Sequence, residues 1–105
     1  MMARRIAEVF VLSVAELGEL FGVPEQTAAG WLTTGIPAEQ RAKVAGVLAI
    51  ANLLTRYLKA DRISAIARRP AEAYGGRTML QIIAAGDHEE LLRSVRALVD
   101  FGGVA

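Results

Sequence analysis

The stretch AEQRAKVAGVLAIANLLTRYLK, residues 38–59, decides the fold of this 105-residue chain. Its charged residues lie near its two ends, and its middle, residues 44–54, is apolar nearly all round. A helix of that kind is buried on several sides. The segment therefore predicts a central core helix or a helix at a subunit interface. Because so apolar a helix must be buried on more sides than a small chain easily supplies, we expect the chain to form a homodimer through residues 44–54.

Composition favours a small helical protein. Hydrophobic residues make up 53% of the chain, and most are Ala, Leu, Val and Ile, of which Ala and Leu are strong helix formers. The chain has no cysteine, which excludes disulfides and thiolate metal sites. A chain of this kind fits a reducing cytoplasm. The most apolar stretch is about half as long as a membrane span. We therefore expect a cytoplasmic protein with no membrane partner.

The N-terminal third predicts three helices. A short helix is expected over residues 3–11, although residues 9–12 could equally be extended. Ser13 and Glu16 have the spacing of a capping box, which starts a helix that should end at Gly22. Pro24 suits the first position of the next helix, which is expected to run to about Leu32.

The C-terminal third predicts three more helices after a break at residues 68–76. Asp61 is expected to cap a short helix that ends near Arg68, and Thr78 to cap another over residues 79–85. Asp87 is expected to cap the last helix, which carries one apolar stripe and ends at Gly102-Gly103. The chain as a whole is predicted to be all-α.

Residues 13–32 fit a helix-turn-helix, and the pattern resembles that of many bacterial regulators. The motif needs a small residue where the helices meet, here Gly18, and a turn residue that tolerates positive φ, here Gly22. A net charge of +1 gives little attraction for DNA, so two copies or a local patch would have to supply it. The candidate contacts to operator DNA are Gln26, Thr27, Thr33, Arg41 and Lys43.

The C-terminal segment carries a second resemblance. The sequence PAEAYGGRTMLQIIAAG at residues 70–86, with the ending DFGGVA at 100–105, resembles the toxin-binding domain of Xre/MbcA/ParS-type antitoxins. The shared features are a proline, a glycine pair, a short helix opened by Thr78, a further glycine and a final amphipathic helix. In that family, proline often stands in place of Met79, and a tryptophan often precedes the first proline.

The resemblance implies a function and a division of the chain. Residues 1–59 would form the helix-turn-helix and central helix, and residues 60–105 the toxin-binding part. The partner would be a RES-type toxin that consumes NAD, with its active site covered by the antitoxin, and the helix-turn-helix would repress the pair's own promoter. The implied toxin contacts are Tyr74, Gly75, Gly76, Arg77, Gly102, Gly103, Val104 and Ala105.

The sequence also bears on two other functions. A stand-alone helix-turn-helix regulator of phage type, dimerised by its C-terminal helices, remains open. An enzyme is excluded for want of a catalytic constellation, since His88 has only helix-start residues around it. We therefore expect no metal and no cofactor. Arg68, Arg69 and Arg77 bracket the glycine turn, either as solvated charges or as contacts to an acidic toxin surface.

Overall fold

The computed structural model describes residues 2–102, and the predicted all-α class is confirmed within that range. A single bridge between Ala71 and Arg77 is the one extended pairing there. No helix in this part of the chain combines the length and apolar character that a bilayer crossing requires. The elements are α1 (Met2–Phe10), α2 (Val14–Phe21), α3 (Glu25–Thr33), α4 (Ala38–Tyr57), α5 (Ala60–Ala67), a 3₁₀ turn (Glu72–Tyr74), α6 (Met79–Ala84) and α7 (His88–Gly102).

The central helix α4 lies between α1 and α7, which make its most extensive contacts. The face turned toward them is buried, whereas Ala45 and Asn52 remain exposed. Burying each valine, isoleucine or leucine side chain of this face contributes about 1.5–3 kcal/mol to folding. Most of the apolar middle is therefore covered within one chain, and self-association through it stays a prediction. The buried side chains of this face are Val44, Val47, Ile50, Ala51 and Leu54.

A close approach between α4 and α7 depends on Gly46. A Cβ atom at Gly46 would lie 2.9 Å from Cδ2 of His88, the first residue of α7. The Nδ1 atom of His88 is buried and has no hydrogen-bond partner among the described residues. The imidazole of His88 therefore packs against the backbone of α4 at this crossing.

The two predicted parts of the chain share one core. Helix α1 contacts α5, α2 contacts α6, and α4 contacts α7, so each pair joins helices from the two sides of residue 59. The buried apolar side chains form one cluster that runs from Ala3 to Val95. Because both parts share one core, the division between residues 59 and 60 is not a boundary between two cores, and it stays a prediction about function.

Two of the predicted helix starts are confirmed in detail. The Ser13 hydroxyl accepts from the Glu16 amide at 3.1 Å, while the Ser13 amide donates to the Glu16 carboxylate at 2.9 Å. Thr78 and Gln81 form the same reciprocal pair at the start of α6. Each box supplies acceptors for two backbone N–H groups that would otherwise have no partner at the start of the helix.

Of three other predicted helix starts, two were wrong. Helix α5 begins at Ala60, so Asp61 lies in its first turn and Lys59 occupies the cap position. Helix α7 begins at His88, directly after Asp87 as predicted, but the Asp87 carboxylate accepts from Arg77, at 3.2 Å, because that guanidinium lies beside the start of α7. Pro24 precedes α3 in an extended conformation, one position earlier than expected. Residues 2–10 are helical, so the first segment forms a helix and residues 9 and 10 are not extended.

Three helices end in the same Schellman-type turn. In each, the N–H two residues beyond the cap donates to a carbonyl five residues earlier, at 2.8, 2.9 and 3.1 Å after α1, α2 and α6. The turn needs one residue with positive φ, which is Gly22 after α2 and Gly86 after α6. After α1 it is Val11, with φ of 54°. A β-branched residue in that conformation is strained.

We expect Val11→Gly to stabilise the protein by about 1 kcal/mol, because glycine adopts the left-handed conformation without the Cβ clash. Little packing is lost, since Val11 is 63% exposed. Urea denaturation measures the change. The matched control is Ala15→Gly, at an exposed position inside α2, which should cost about 1 kcal/mol. A less stable Val11→Gly protein would contradict the strain at this turn.

The two glycines inside α2 and α3 should respond to alanine in opposite directions. A Cβ at Gly18 would lie 2.7 Å from the Val23 carbonyl oxygen, a backbone atom that cannot move away cheaply. Gly18→Ala should therefore cost about 1–3 kcal/mol. At Gly30 the nearest atom would be 3.9 Å away, so Gly30→Ala should gain up to about 1 kcal/mol from helix propensity. Equal effects in thermal unfolding would argue against a tight α2–α3 contact.

Candidate functional site

The glycine pair predicted to make a turn closes a compact loop between α5 and α6. Gly75 and Gly76 both have positive φ, of 66° and 81°. The amide of Gly76 donates to the Ala71 carbonyl at 2.9 Å, and the Ala71 amide donates to the Arg77 carbonyl at 3.2 Å. Five backbone hydrogen bonds in all join residues 71–77, so the loop presents its side chains in a set arrangement.

Arg77 connects this loop to α7. Its Nε donates to the Tyr74 carbonyl at 3.3 Å, and its Nη1 pairs with the Asp87 carboxylate at 3.2 Å. Both charged side chains are almost half exposed, so the pair contributes at most about 1 kcal/mol to stability. Arg77 therefore orients the loop while part of its guanidinium stays open to solvent.

A cavity of about 270 Å³ separates the loop from α7, and we call it the turn pocket. The pocket brings together Tyr74, Gly75 and Arg77, three of the residues implied as toxin contacts. Sequence reasoning missed its α7 side. Glu90 and Ser94 are four residues apart and so share a helix face, but only the tertiary fold turns that face toward the loop. The lining residues are Ala73, Tyr74, Gly75, Arg77, Ile82, Glu90, Leu91 and Ser94.

Gly76 lies in the same loop but does not line the turn pocket. Gly102 is the last residue of α7, and Gly103, Val104 and Ala105 fall outside the described residues. Gly102 lies twelve positions after Glu90 in α7, which is about 18 Å along the axis. The turn pocket and the end of α7 are therefore two separate places.

Arg68 is not a solvated charge. It donates to the carbonyls of Phe10 at 2.7 Å and Val11 at 2.9 Å, and it also bonds Ser64. Its Nη2 lies 3.5 Å from the Glu16 carboxylate. This arginine joins α5 to the end of α1 and the start of α2. Arg69 is exposed, so of the three arginines near the loop only Arg69 and Arg77 present charge to a partner.

Within the part of the chain that the structure describes, the pKa values of Glu16 and Tyr74 are shifted. The Ser13 amide, with Arg68 as a smaller contributor, holds the pKa of the Glu16 carboxyl below its ordinary value of 4.5. Burial raises the pKa of Tyr74 above its ordinary value of 10.0. Tyr74 lines the turn pocket, so its hydroxyl is a neutral group there at physiological pH.

The residues predicted to contact DNA spread over two helices. Gln26, Thr27 and Thr33 are all exposed on α3. Gln26 and Thr33 are seven residues apart and share one face. The Thr33 hydroxyl also donates to the Gly30 carbonyl at 3.2 Å, inside its own helix.

The two predicted phosphate contacts have partners of their own. Arg41 donates from Nε to the Ile36 carbonyl at 3.3 Å. The Lys43 ammonium lies 5.5 Å from the centre of the Phe21 ring, in a cation–π arrangement. Phe21 in turn packs against Trp31 with ring centres 5.5 Å apart. Lys43 therefore stabilises the contact of α4 with the α2–α3 pair and is less available to phosphate than predicted.

Within residues 2–102, no group of three or more His, Asp or Glu side chains could hold a metal ion. The described polar groups of the turn pocket are a neutral phenol, a hydroxyl, a guanidinium and a carboxylate. Such a set can hydrogen-bond and pair with the surface of another molecule.

Comparison with known proteins found a similarity of fold. No protein-family model matches the chain, and no curated protein does. Among solved structures, a chain in the crystal structure of the M. tuberculosis MbcT-MbcA toxin-antitoxin complex is similar, with a TM-score of 0.78. The alignment covers 94% of this chain and 91% of that chain at 15% sequence identity. At that identity the likeness shows a shared fold, over chains of similar length.

Tyr74 should titrate above pH 10.0, because burial disfavours its phenolate. The chain has only two tyrosines, so the Tyr57→Phe variant isolates Tyr74 for a spectrophotometric titration of phenolate absorbance. Since the folded pKa is raised, the stabilisation is complete below pH 10 and is lost as pH rises further. Tyr74→Phe should remove that part of the alkaline loss of stability. A midpoint at or below 10.0 would mean that Tyr74 is open to water.

Proposed function

We propose that this protein is the antitoxin of a toxin–antitoxin pair. The observation that carries the proposal is the likeness of fold, over 94% of the chain, to a chain of similar length in a toxin-antitoxin complex. The resemblance of residues 70–86 and 100–105 to Xre/MbcA/ParS-type antitoxins supports it from the sequence alone. An antitoxin of this kind acts by binding its toxin, so the proposal includes no catalytic activity for this chain.

The proposed partner is a RES-type toxin that consumes NAD. In this proposal the C-terminal half covers the toxin's active site, with the glycine loop and the end of α7 as two points of contact. The turn pocket supports the first point, because Tyr74, Arg77 and Glu90 present polar groups on a loop fixed by its own hydrogen bonds. A preformed surface loses less conformational entropy when it binds. The tail, residues 102–105, is proposed as the second point.

Repression of the pair's own operator is proposed as an additional activity. Helix α3 exposes Gln26, Thr27 and Thr33, whose side chains can donate to and accept from bases or phosphates. No lysine or arginine lies on α3, so cations from other elements and from a second copy would have to contribute. A stand-alone helix-turn-helix regulator is the alternative function, and the same exposed face of α3 favours it.

Co-expression with the protein encoded by the adjacent reading frame tests the antitoxin role. We expect that protein alone to stop growth and deplete cellular NAD, and this chain to restore both. Ser94→Arg should abolish protection, because it fills the turn pocket from an exposed helix position. Ala45→Arg is the matched control, since it adds the same side chain at an exposed position of α4. A neighbour that leaves growth and NAD unchanged would contradict the proposal.

The separate role of the tail is tested by deleting residues 102–105 in the same assay. If the truncated chain still co-purifies with the toxin but no longer restores NAD, then the helices bind and the tail inhibits. Full protection by the truncated chain would remove the tail from the mechanism. Co-purification with the toxin is measured for Ser94→Arg as well, because a blocked turn pocket should weaken formation of the complex.

A further inference from the structure

A second open cavity lies on the other half of the chain. It runs between the start of α1, the end of α3 and the turn of residues 34–37, and we call it the α1/α3 groove. Its volume is about 740 Å³, which is within the usual range of binding sites. It shares no lining residue with the turn pocket. The proposed toxin contacts do not include it, although Thr33 and Arg41 in its lining are also candidate operator contacts.

The floor of the α1/α3 groove is apolar. Met2, Leu32 and Ile36 line it and are only half buried, although each also packs on the core. Trp31 lines it as well, with 6% of its surface exposed and an indole Nε1 that has no acceptor among the described residues. Apolar surface left open in a concave site gains free energy when another apolar group covers it.

Two arginines from different helices lie at the rim. Arg4 of α1 donates from Nη2 to the Leu32 carbonyl at 3.2 Å, and Arg41 of α4 donates from Nε to the Ile36 carbonyl at 3.3 Å. These carbonyls belong to the end of α3 and the turn after it, where helical partners are missing. Both side chains are therefore held at the groove, with further N–H groups free to donate.

The charge of the groove is one-sided. Among the described residues that line it there is no carboxylate, so neither guanidinium is neutralised there. The hydroxyls of Thr33 and Thr34 both donate to the Gly30 carbonyl and, being neutral, add no negative charge to the groove. An occupant that complements this groove carries negative charge at its edge and an apolar group at its centre.

We propose that the α1/α3 groove binds a short segment of a partner protein in which an acidic residue adjoins a bulky apolar side chain. The apolar side chain covers Leu32, Ile36 and Trp31, and the carboxylate pairs with Arg4 or Arg41. A nucleic acid fits less well, because a phosphate backbone has no apolar group for the floor and Trp31 is too buried to stack on a base. The proposal assigns Arg41 to a protein partner and does not depend on the antitoxin role.

The test begins with a phage-displayed library of random heptapeptides, selected on the immobilised full chain. We expect enrichment of sequences with Asp or Glu beside Leu, Phe or Trp. A consensus peptide is then synthesised without tryptophan and titrated against the protein. Trp31 is the chain's one tryptophan and lines the groove, so its fluorescence reports occupancy directly. Each of Arg4→Gln and Arg41→Gln should weaken binding about fivefold to tenfold, as loss of a charge-assisted hydrogen bond does.

Two control variants distinguish loss of charge from loss of apolar contact, and a folding measurement accompanies them. Arg56→Gln, at an exposed position at the other end of α4, should leave the affinity unchanged. Ile36→Ala should weaken binding while preserving its dependence on salt, because it removes apolar contact only. Circular dichroism and urea denaturation identify any variant that has lost its fold, and the single arginine variants are exposed enough to retain it.

Three results would overturn the proposal. One is a library that yields no acidic and apolar consensus. Another is a consensus peptide that binds equally to the Arg4→Gln/Arg41→Gln double variant, since the site would then lie elsewhere. The third is a random-sequence DNA duplex of about 20 base pairs that changes Trp31 fluorescence and displaces the peptide, which would make the groove a nucleic-acid surface.

Discussion

The apolar face of α4 must be covered, and α1 and α7 cover it from opposite ends of the sequence. Val47 and Ile50 have no exposed surface, so this contact excludes water completely. It also requires the first and last helices to meet the same central helix before the core is complete. The remaining helices are positioned relative to that layer: α3 contacts α1, α6 contacts α7, and α2 contacts both α3 and α6. The missing side chain at Gly46 allows α7 to begin close to the α4 backbone.

The connections between the two halves are polar as well as apolar. Arg68 bonds to carbonyls 57 and 58 residues away in sequence, at the strained turn after α1. That turn leaves carbonyls without helical partners, and a guanidinium with several N–H groups can satisfy more than one of them. The same arginine lies near Glu16, whose capping box starts α2. One side chain therefore holds three helix ends together.

Both candidate binding surfaces lie where loops meet the ends of helices. In the turn pocket a glycine loop is fixed by its own hydrogen bonds and by Arg77. In the α1/α3 groove two arginines are fixed by carbonyls at the end of α3. In each case a cation is held by backbone acceptors and keeps free donors for a partner. A surface arranged in this way before binding suits a protein whose proposed function is to recognise another protein.

The sequence by itself determined what is local. The capping boxes at Ser13 and Thr78 join residues three apart, and the turn at Gly22 needs only a residue that accepts positive φ, so each could be read from spacing and residue type. The apolar middle of α4 likewise identified the central helix. The glycine loop was predicted from its own residues, and the structure places three of its implied contacts around one pocket.

Only the tertiary structure decided which side chains meet across the chain. Asp87 has the residue type and position of a cap, but Arg77 lies beside it and donates to its carboxylate. Lys43 has the charge of a phosphate contact, but Phe21 lies within range of its ammonium. The α1/α3 groove brings together residues from 2 to 41, and Arg68 reaches across most of the chain. A charged side chain can satisfy many different partners, and its choice depends on which of them the packing of α1, α4 and α7 brings within reach.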